Sequence, residues 1–353
     1  MLYQTKNPHG GDLYTQEVKL DFSANTNPLG TPESVRRAVV ESADNLNQYP
    51  DPYCRELVAA LSEFEQVPPE YLLCGCGAAE LIFSFCTAVK PKVALELAPT
   101  FSEYSAALEA IGCRVERYPL GKENGFALTG EFLETLQCSN CEVLFLCNPN
   151  NPTGQTIDPD LLQKIALLCR ERGIRLFLDE CFLDLSDQGR QLSLKEQLSA
   201  QPGLFILKAF TKSYGMAGLR LGYCLSGDRE LLTAMGRCVQ PWNVSLPAQR
   251  AGVAALGETA FLEQTRAVIQ AQRGWLKGQL ESLGLYVCPA QANYLLLYHE
   301  TPLYELLLRQ GILVRDCSNY HGLCRGWIRV AVRRAEENQV LVETIRAALQ
   351  EDR

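Results

Sequence analysis

A lysine and an arginine bracket a glycine-bearing turn in Thr211-Lys212-Ser213-Tyr214-Gly215-Met216-Ala217-Gly218-Leu219-Arg220, shortly after the apolar run Leu204-Phe205-Ile206-Leu207. Gly215 and Gly218 let the backbone fold back tightly, so the Lys212 amine, the Thr211 and Ser213 hydroxyls and the Arg220 guanidinium can surround one small anion. An amine that attacks a carbonyl must shed its proton near neutral pH, and an adjacent guanidinium helps by disfavouring a second positive charge. Lys212 is therefore read as a nucleophile that condenses with a carbonyl, against the alternative of a solvated surface lysine.

Further motifs supply the rest of a constellation. Gly75-Cys76-Gly77-Ala78-Ala79-Glu80 places small residues between a strand and a helix start, where free amides and the helix dipole attract a phosphate. A dinucleotide fingerprint is the rival, but Glu80 stands where its last glycine belongs. Phe101, after Pro99-Thr100, is either a core contact or a face for a flat heteroaromatic ring. In Asn148-Pro149-Asn150-Asn151-Pro152-Thr153-Gly154 the prolines stiffen the loop, and the Asn151 amide is suited to a ring hydroxyl or oxyanion. Asp179 ends the apolar run Leu176-Phe177-Leu178, where a lone buried carboxylate is costly. Facing a pyridinium nitrogen, it would keep that nitrogen protonated and the ring able to take up electrons.

The elements that position these groups follow from hydrophobic pattern. Apolar strands at 71–74, 93–96, 143–147, 175–178 and 204–207 alternate with helices at 79–89, 102–111 and 160–172, the texture of a mainly parallel sheet covered on both faces. Ligands in such sheets lie beyond the carboxyl ends of the strands, where every motif above falls. Upstream, 20–25 alternates like a short strand, and Thr31-Pro32-Glu33 predicts a helix with Thr31 as its cap and Pro32 at its first position. After about residue 255 a long helical stretch, short strands at 291–298 and 327–332 and a final helix indicate a smaller α+β domain. The expected division is an arm over 1–19, a small-domain segment over 20–44, a large domain over 45–255 and a small C-terminal domain over 256–353.

Composition narrows the class. The chain has 353 residues, 47% hydrophobic and 21% charged, with a net charge of −8, which disfavours a nucleic-acid footprint. No apolar run suggests a signal peptide, an anchor or a membrane span. Fifteen cysteines scatter through apolar stretches as small hydrophobes, which fits a reducing cytoplasm. Cys138-Ser139-Asn140-Cys141 lacks a second pair, so no metal is expected.

The ordered set Gly77-Ala78-Ala79, Phe101, Asn151-Pro152-Thr153-Gly154, Asp179-Glu180, Thr211-Lys212 and Gly218-Leu219-Arg220 resembles the fold-type-I pyridoxal-phosphate enzymes of the class I/II aminotransferase superfamily over nearly the whole chain. The resemblance implies pyridoxal 5'-phosphate bound covalently to Lys212. Its phosphate would be held by Thr211, Arg220 and the amides of Ala78 and Ala79, its ring stacked on Phe101, its O3' at Asn151 and its nitrogen at Asp179. It also implies a homodimer with shared sites, Tyr49 reaching the cofactor phosphate across the interface.

Two sub-families are close: threonine-phosphate decarboxylase of cobalamin synthesis and histidinol-phosphate aminotransferase. His9-Gly10-Gly11, Leu20-Asp21-Phe22-Ser23-Ala24-Asn25, Gln240-Pro241-Trp242-Asn243-Val244 and Cys317-Ser318-Asn319-Tyr320 look like the decarboxylase. Phe182 stands where the aminotransferase usually has a tyrosine, while Asp12 and His321 depart from the decarboxylase pattern. Arg329 is placed like the family's carboxylate clamp and Arg315 like the arginine that receives a substrate phosphate. Arg333 projects from the end of the strand that carries Arg329 and is expected to assist, and His9, Gly10, Asn25 and Asn151 complete the substrate set that the resemblance implies. The activity it implies is decarboxylation of L-threonine O-3-phosphate, or the serine analogue, to an amino-alcohol phosphate, (R)-1-aminopropan-2-yl phosphate. Transamination of histidinol phosphate is the alternative, and a catalytically silent binding module the remote one.

Overall fold

The computed structural model describes residues 9–15 and 17–351, so much of the arm expected over 1–19 lies outside the described residues. In chain order the elements are β1 Leu20–Asp21, α1 Glu33–Ser42, α2 Arg55–Glu65, β2 Leu72–Gly75, α3 Gly77–Val89, β3 Val93–Ala98, α4 Ser102–Ala110, β4 Arg114–Pro119, α5 Phe132–Cys138, β5 Val143–Cys147, α6 Pro159–Arg172 and β6 Arg175–Asp179. There follow β7 Leu204–Ala209, the single-turn α7 Phe210–Ser213, β8 Gly222–Ser226, α8 Arg229–Gly236, α9 Leu246–Leu256 and α10 Thr259–Ser282. The chain closes with β9 Tyr286–Val287, β10 Tyr294–Tyr298, α11 Leu303–Arg309, β11 Ile312–Leu313, β12 Arg315–Asp316, β13 Trp327–Ala331 and α12 Ala335–Glu351.

A seven-stranded sheet runs β2-β8-β7-β6-β5-β3-β4. Pairings from β4 through β7 are parallel, and β8 is antiparallel to both neighbours. Its central strands are buried on both faces, which explains their unbroken apolar runs. On one face Phe177 stacks between Phe145 at 4.6 Å and Phe205 at 4.7 Å, with Phe85 of α3 against all three. Helix α6 is punctuated at both ends: the Asp158 carboxylate accepts from Leu161 N at 3.0 Å, Pro159 opens the helix and Gly173 closes it with φ +68°. A four-stranded antiparallel sheet, β12-β13-β10-β9, lies between this body and a second core formed with α10, α11 and α12.

The expected N-terminal strand is shorter than predicted. Only Leu20 and Asp21 form a ladder, parallel to Ile312 and Leu313, and the chain then turns over the site. Thr31 does not cap α1. Pro32 holds the cap position with an extended ψ of 149°, while the Thr31 hydroxyl donates to Gly215 O at 2.8 Å, a tertiary contact that outcompetes the local one. Strands β4 and β8 were not evident in the sequence, because one is a charged edge strand and the other follows the glycine-bearing turn. Most cysteines are buried, and Cys138, Cys238 and Cys324 are exposed. Among the described residues no helix is long and apolar enough to cross a membrane, and no three metal-ligating side chains gather.

Candidate active site

A cavity of about 250 Å³ opens at the carboxyl ends of β5, β6 and β7, roofed by the segment after β1 and by β12 and β13. Strand β7 delivers Lys212 onto α7. Asn27 fixes that turn by donating Nδ2 to Ser213 O at 2.8 Å. Gly215, at φ +62°, presses on the N-terminal turn so closely that a Cβ there would lie 2.7 Å from Gly30 O. The Lys212 ammonium sits 5.6 Å from the Phe182 ring centroid. Burial, then the guanidinium groups of Arg329 and Arg220, pushes its pKa down to about 8. Lys212 can thus hold or release a proton near neutrality.

Asp179, at the end of β6, faces the same cavity and feels the Lys212 cation. Burial raises its carboxyl above the ordinary aspartate range, and hydrogen bonds oppose that shift. Tyr104 donates its hydroxyl to Oδ2 at 2.5 Å, and Cys181 N donates to Oδ1 at 2.9 Å. Phe101 lines the cavity edge-on to Tyr104, with centroids 5.6 Å apart.

At the other end, Ala78 and Ala79 lie in the first turn of α3, whose leading amides have no partner within the helix. Glu80 is turned aside to accept from Cys76 N at 2.7 Å, which leaves the inner face of that turn open. Gly77 takes φ +78°, and a Cβ there would lie 2.5 Å from the Arg220 guanidinium. Thr211 and Arg220 close this cradle. The glycine-bearing turns thus bring together the residues from which an anion site is expected.

The roof carries the arginines. Arg315 of β12 and Arg329 of β13 are directly paired in the antiparallel ladder, so two buried guanidinium groups share one sheet face. Arg329 donates to Ser23 O at 3.0 Å and to Asn151 Oδ1. With the Asn25 amide assigned in the orientation that satisfies both its ends, its oxygen accepts from Arg329 Nε at 3.0 Å. Arg315 donates to Asn319 Oδ1 at 2.9 Å and lies 5.1 Å from the Tyr320 ring centroid. His9 and Gly10 reach the cavity wall; His9 Nε2 is 3.2 Å from Glu103 Oε1, and a Cβ on Gly10 would strike Ser23 O at 2.5 Å.

Two expected residues stand elsewhere. Arg333 does not join the substrate set, because β13 ends at Ala331 and the turn into α12 gives its guanidinium to Glu337 at 2.7 and 3.0 Å. Tyr49 is outside the cavity of its own chain, 79% exposed and stacked on Trp242 at 4.6 Å. Sequence reasoning missed Tyr104, Cys181 and the cavity role of Tyr320. Tyr104 had a readable signal, an aromatic in the first turn of α4 three residues beyond Phe101.

The arrangement fits pyridoxal 5'-phosphate: an anion cradle at one end, a carboxylate behind, an amine of lowered pKa between, and an aromatic wall at Phe101. Comparison with known proteins agrees. The family model for aminotransferase class I and II matches residues 17–345. The threonine-phosphate decarboxylase of Salmonella typhimurium is 38% identical, covering 97% of this chain and 96% of that protein. Histidinol-phosphate aminotransferase 1 of Cupriavidus pinatubonensis is 33% identical over 94% of this chain and 88% of its own length. The structure of histidinol-phosphate aminotransferase from Sinorhizobium meliloti in complex with pyridoxal-5'-phosphate shares the fold, with a TM-score of 0.86 at 21% identity, covering 96% of this chain and 92% of that one. The chain belongs to the class I and II aminotransferases and is a pyridoxal-phosphate-dependent enzyme of that superfamily.

Proposed function

We propose that the enzyme decarboxylates L-threonine O-3-phosphate to (R)-1-aminopropan-2-yl phosphate, the linker precursor of cobalamin synthesis. The observation that carries this reading is the direct pairing of Arg315 with Arg329. Like charges opposite one another destabilise a sheet, and two anionic groups on one guest offset that cost. The 38% identity to a threonine-phosphate decarboxylase supports the same substrate, and Phe182, with no hydroxyl to offer, fits it better than the aminotransferase.

Bound pyridoxal phosphate supplies an electron-withdrawing ring that accepts the electron pair of a broken Cα bond. In this reading Arg329, with Asn25 and Asn151, grips the carboxylate, while Arg315, His9 and Gly10 form the phosphate end. The two grips would orient the substrate's Cα bonds, and so choose whether carbon dioxide or a proton leaves. Lys212 returns a proton to Cα, which its lowered pKa permits. Asp179 would keep the proton on the ring nitrogen, Ala78, Ala79, Thr211 and Arg220 would hold the cofactor phosphate, and Phe101 would stack on the ring. We also propose a homodimer in which Tyr49, exposed in the single chain, reaches the partner's cofactor phosphate.

The 33% identity to a histidinol-phosphate aminotransferase keeps transamination as the second reading. Incubating holoenzyme with O-phospho-L-threonine, with O-phospho-L-serine, and with histidinol phosphate plus 2-oxoglutarate separates them. Carbon dioxide without glutamate is the expected result, and glutamate without carbon dioxide overturns the assignment. Replacing Arg315 with Met should weaken the phosphorylated substrate about tenfold to a hundredfold while sparing the cofactor.

A further inference from the structure

Lys122, exposed on the loop between β4 and α5, sits in an aromatic cage. Its ammonium is 4.4 Å from the Tyr298 ring centroid, 4.7 Å from that of Tyr286 and 5.6 Å from that of Trp327. The rings belong to adjacent strands and form a single row, Tyr286 paired with Tyr298 and Tyr298 with Trp327. Alternate residues of a strand share a face. The next row on the cage face, one pleat along, is therefore Leu296, Arg329 and Arg315. The same loop is tied to this sheet elsewhere. Tyr286 donates its hydroxyl to Lys122 O at 3.2 Å, the Cys288 thiol donates to Gly125 O at 3.2 Å, and Phe126 meets Trp327 edge-on at 5.2 Å.

We infer that Lys122 is a positioning residue for substrate recognition: its ammonium, seated on the row Tyr286, Tyr298 and Trp327, pins β13 and hence Arg329 against the body that carries Lys212 and Asp179. Aromatic faces attract a cation through their quadrupoles, and the indole does so best. Lys122 follows the edge strand of the seven-stranded sheet, so the clasp spans the two layers whose separation sets the distance from Lys212 to the arginine pair. The cradle expected to hold the cofactor phosphate, Ala78, Ala79, Thr211 and Arg220, lies on the body alone. The inference rests on the reading that Arg315 and Arg329 hold a doubly anionic guest.

The test uses full-length holoenzyme and 3-phosphonopropionate, a probe with a carboxylate, a phosphonate and no amine, titrated by calorimetry. Lys122→Met is expected to weaken the probe about threefold to tenfold, Lys122→Arg to stay within about twofold of the parent, and both to leave cofactor affinity unchanged. If Lys122→Met binds the probe as tightly as the parent while Arg329→Met does not, the positioning role is refuted and the two-anion reading stands. If Arg329→Met also binds normally, both fall. Equal weakening by Met and Arg at 122, or a matching loss of cofactor affinity, would mean that the loop merely supports the fold, and would likewise overturn the inference.

Discussion

Burial beside two guanidinium groups makes Lys212 far more acidic than an ordinary lysine. With a pKa of about 8 in place of the ordinary 10.5, roughly a tenth of the amine is neutral at pH 7 and about nine-tenths at pH 9. Reaction of the apoprotein amine with trace acetic anhydride should therefore rise about tenfold between those values and then level off. An ordinary lysine rises about a hundredfold over the same interval with no plateau. Peptide mass spectrometry reads the rate at Lys212, with surface lysines as internal controls. Arg329→Met removes the largest charge contribution after burial, so the midpoint should move up toward 10.5 and the ratio should exceed tenfold. A base whose folded pKa is depressed carries a cost that is fully present below pH 8 and is relieved as pH rises toward 10.5, so this group alone makes the apoprotein more stable at alkaline pH. A hundredfold rise without a plateau in the parent protein would refute the reasoning.

Tyr104→Phe removes the hydroxyl donor from Asp179, a hydrogen bond to a charged group worth about 1.5–3 kcal/mol, so cofactor affinity should fall about tenfold or more. Because burial already raises the Asp179 pKa, affinity should also decline with acidification sooner than an ordinary aspartate allows, and sooner still in the variant; fluorescence titrations from pH 8 downward that superimpose would contradict this. Gly77→Ala forces a side chain to φ +78° and against Arg220, at a cost of about 1–2 kcal/mol or more. Binding of pyridoxal phosphate should weaken about tenfold while binding of phosphate-free pyridoxal stays unchanged, and equal losses would move the anion cradle elsewhere. Phe177→Ala opens a hole in the middle of the aromatic stack and should destabilise the protein by about 3–5 kcal/mol, measured from the urea midpoint.

What could be read from the sequence was what strand ends punctuate. Asp179 terminates an apolar run, Lys212 follows one on the single turn α7, and Gly77 opens a helix directly after one, so chemistry and position coincide in the pattern. Tyr104 left a weaker trace, because an aromatic on a helix buried in a sheet layer looks like any packing residue until its hydroxyl is seen to meet a carboxylate. Arg333 misled for a complementary reason. Alternation along β13 would put it on the face of Arg329, but the ladder stops at Ala331 and Glu337 on α12 competes for the charge. The opposition of Arg315 to Arg329 was not visible at all, since the irregular connection between β12 and β13 leaves their register to the folded sheet.

The distribution of thiols has a practical consequence. A small alkylating reagent offered to the folded chain meets Cys138, Cys238 and Cys324 at once, whereas Cys147 and Cys224 in the large sheet, and Cys288 and Cys317 beside the smaller one, react only when their surroundings open. The order in which those sulfurs become labelled would chart, without any introduced probe, which layer of the molecule loosens first.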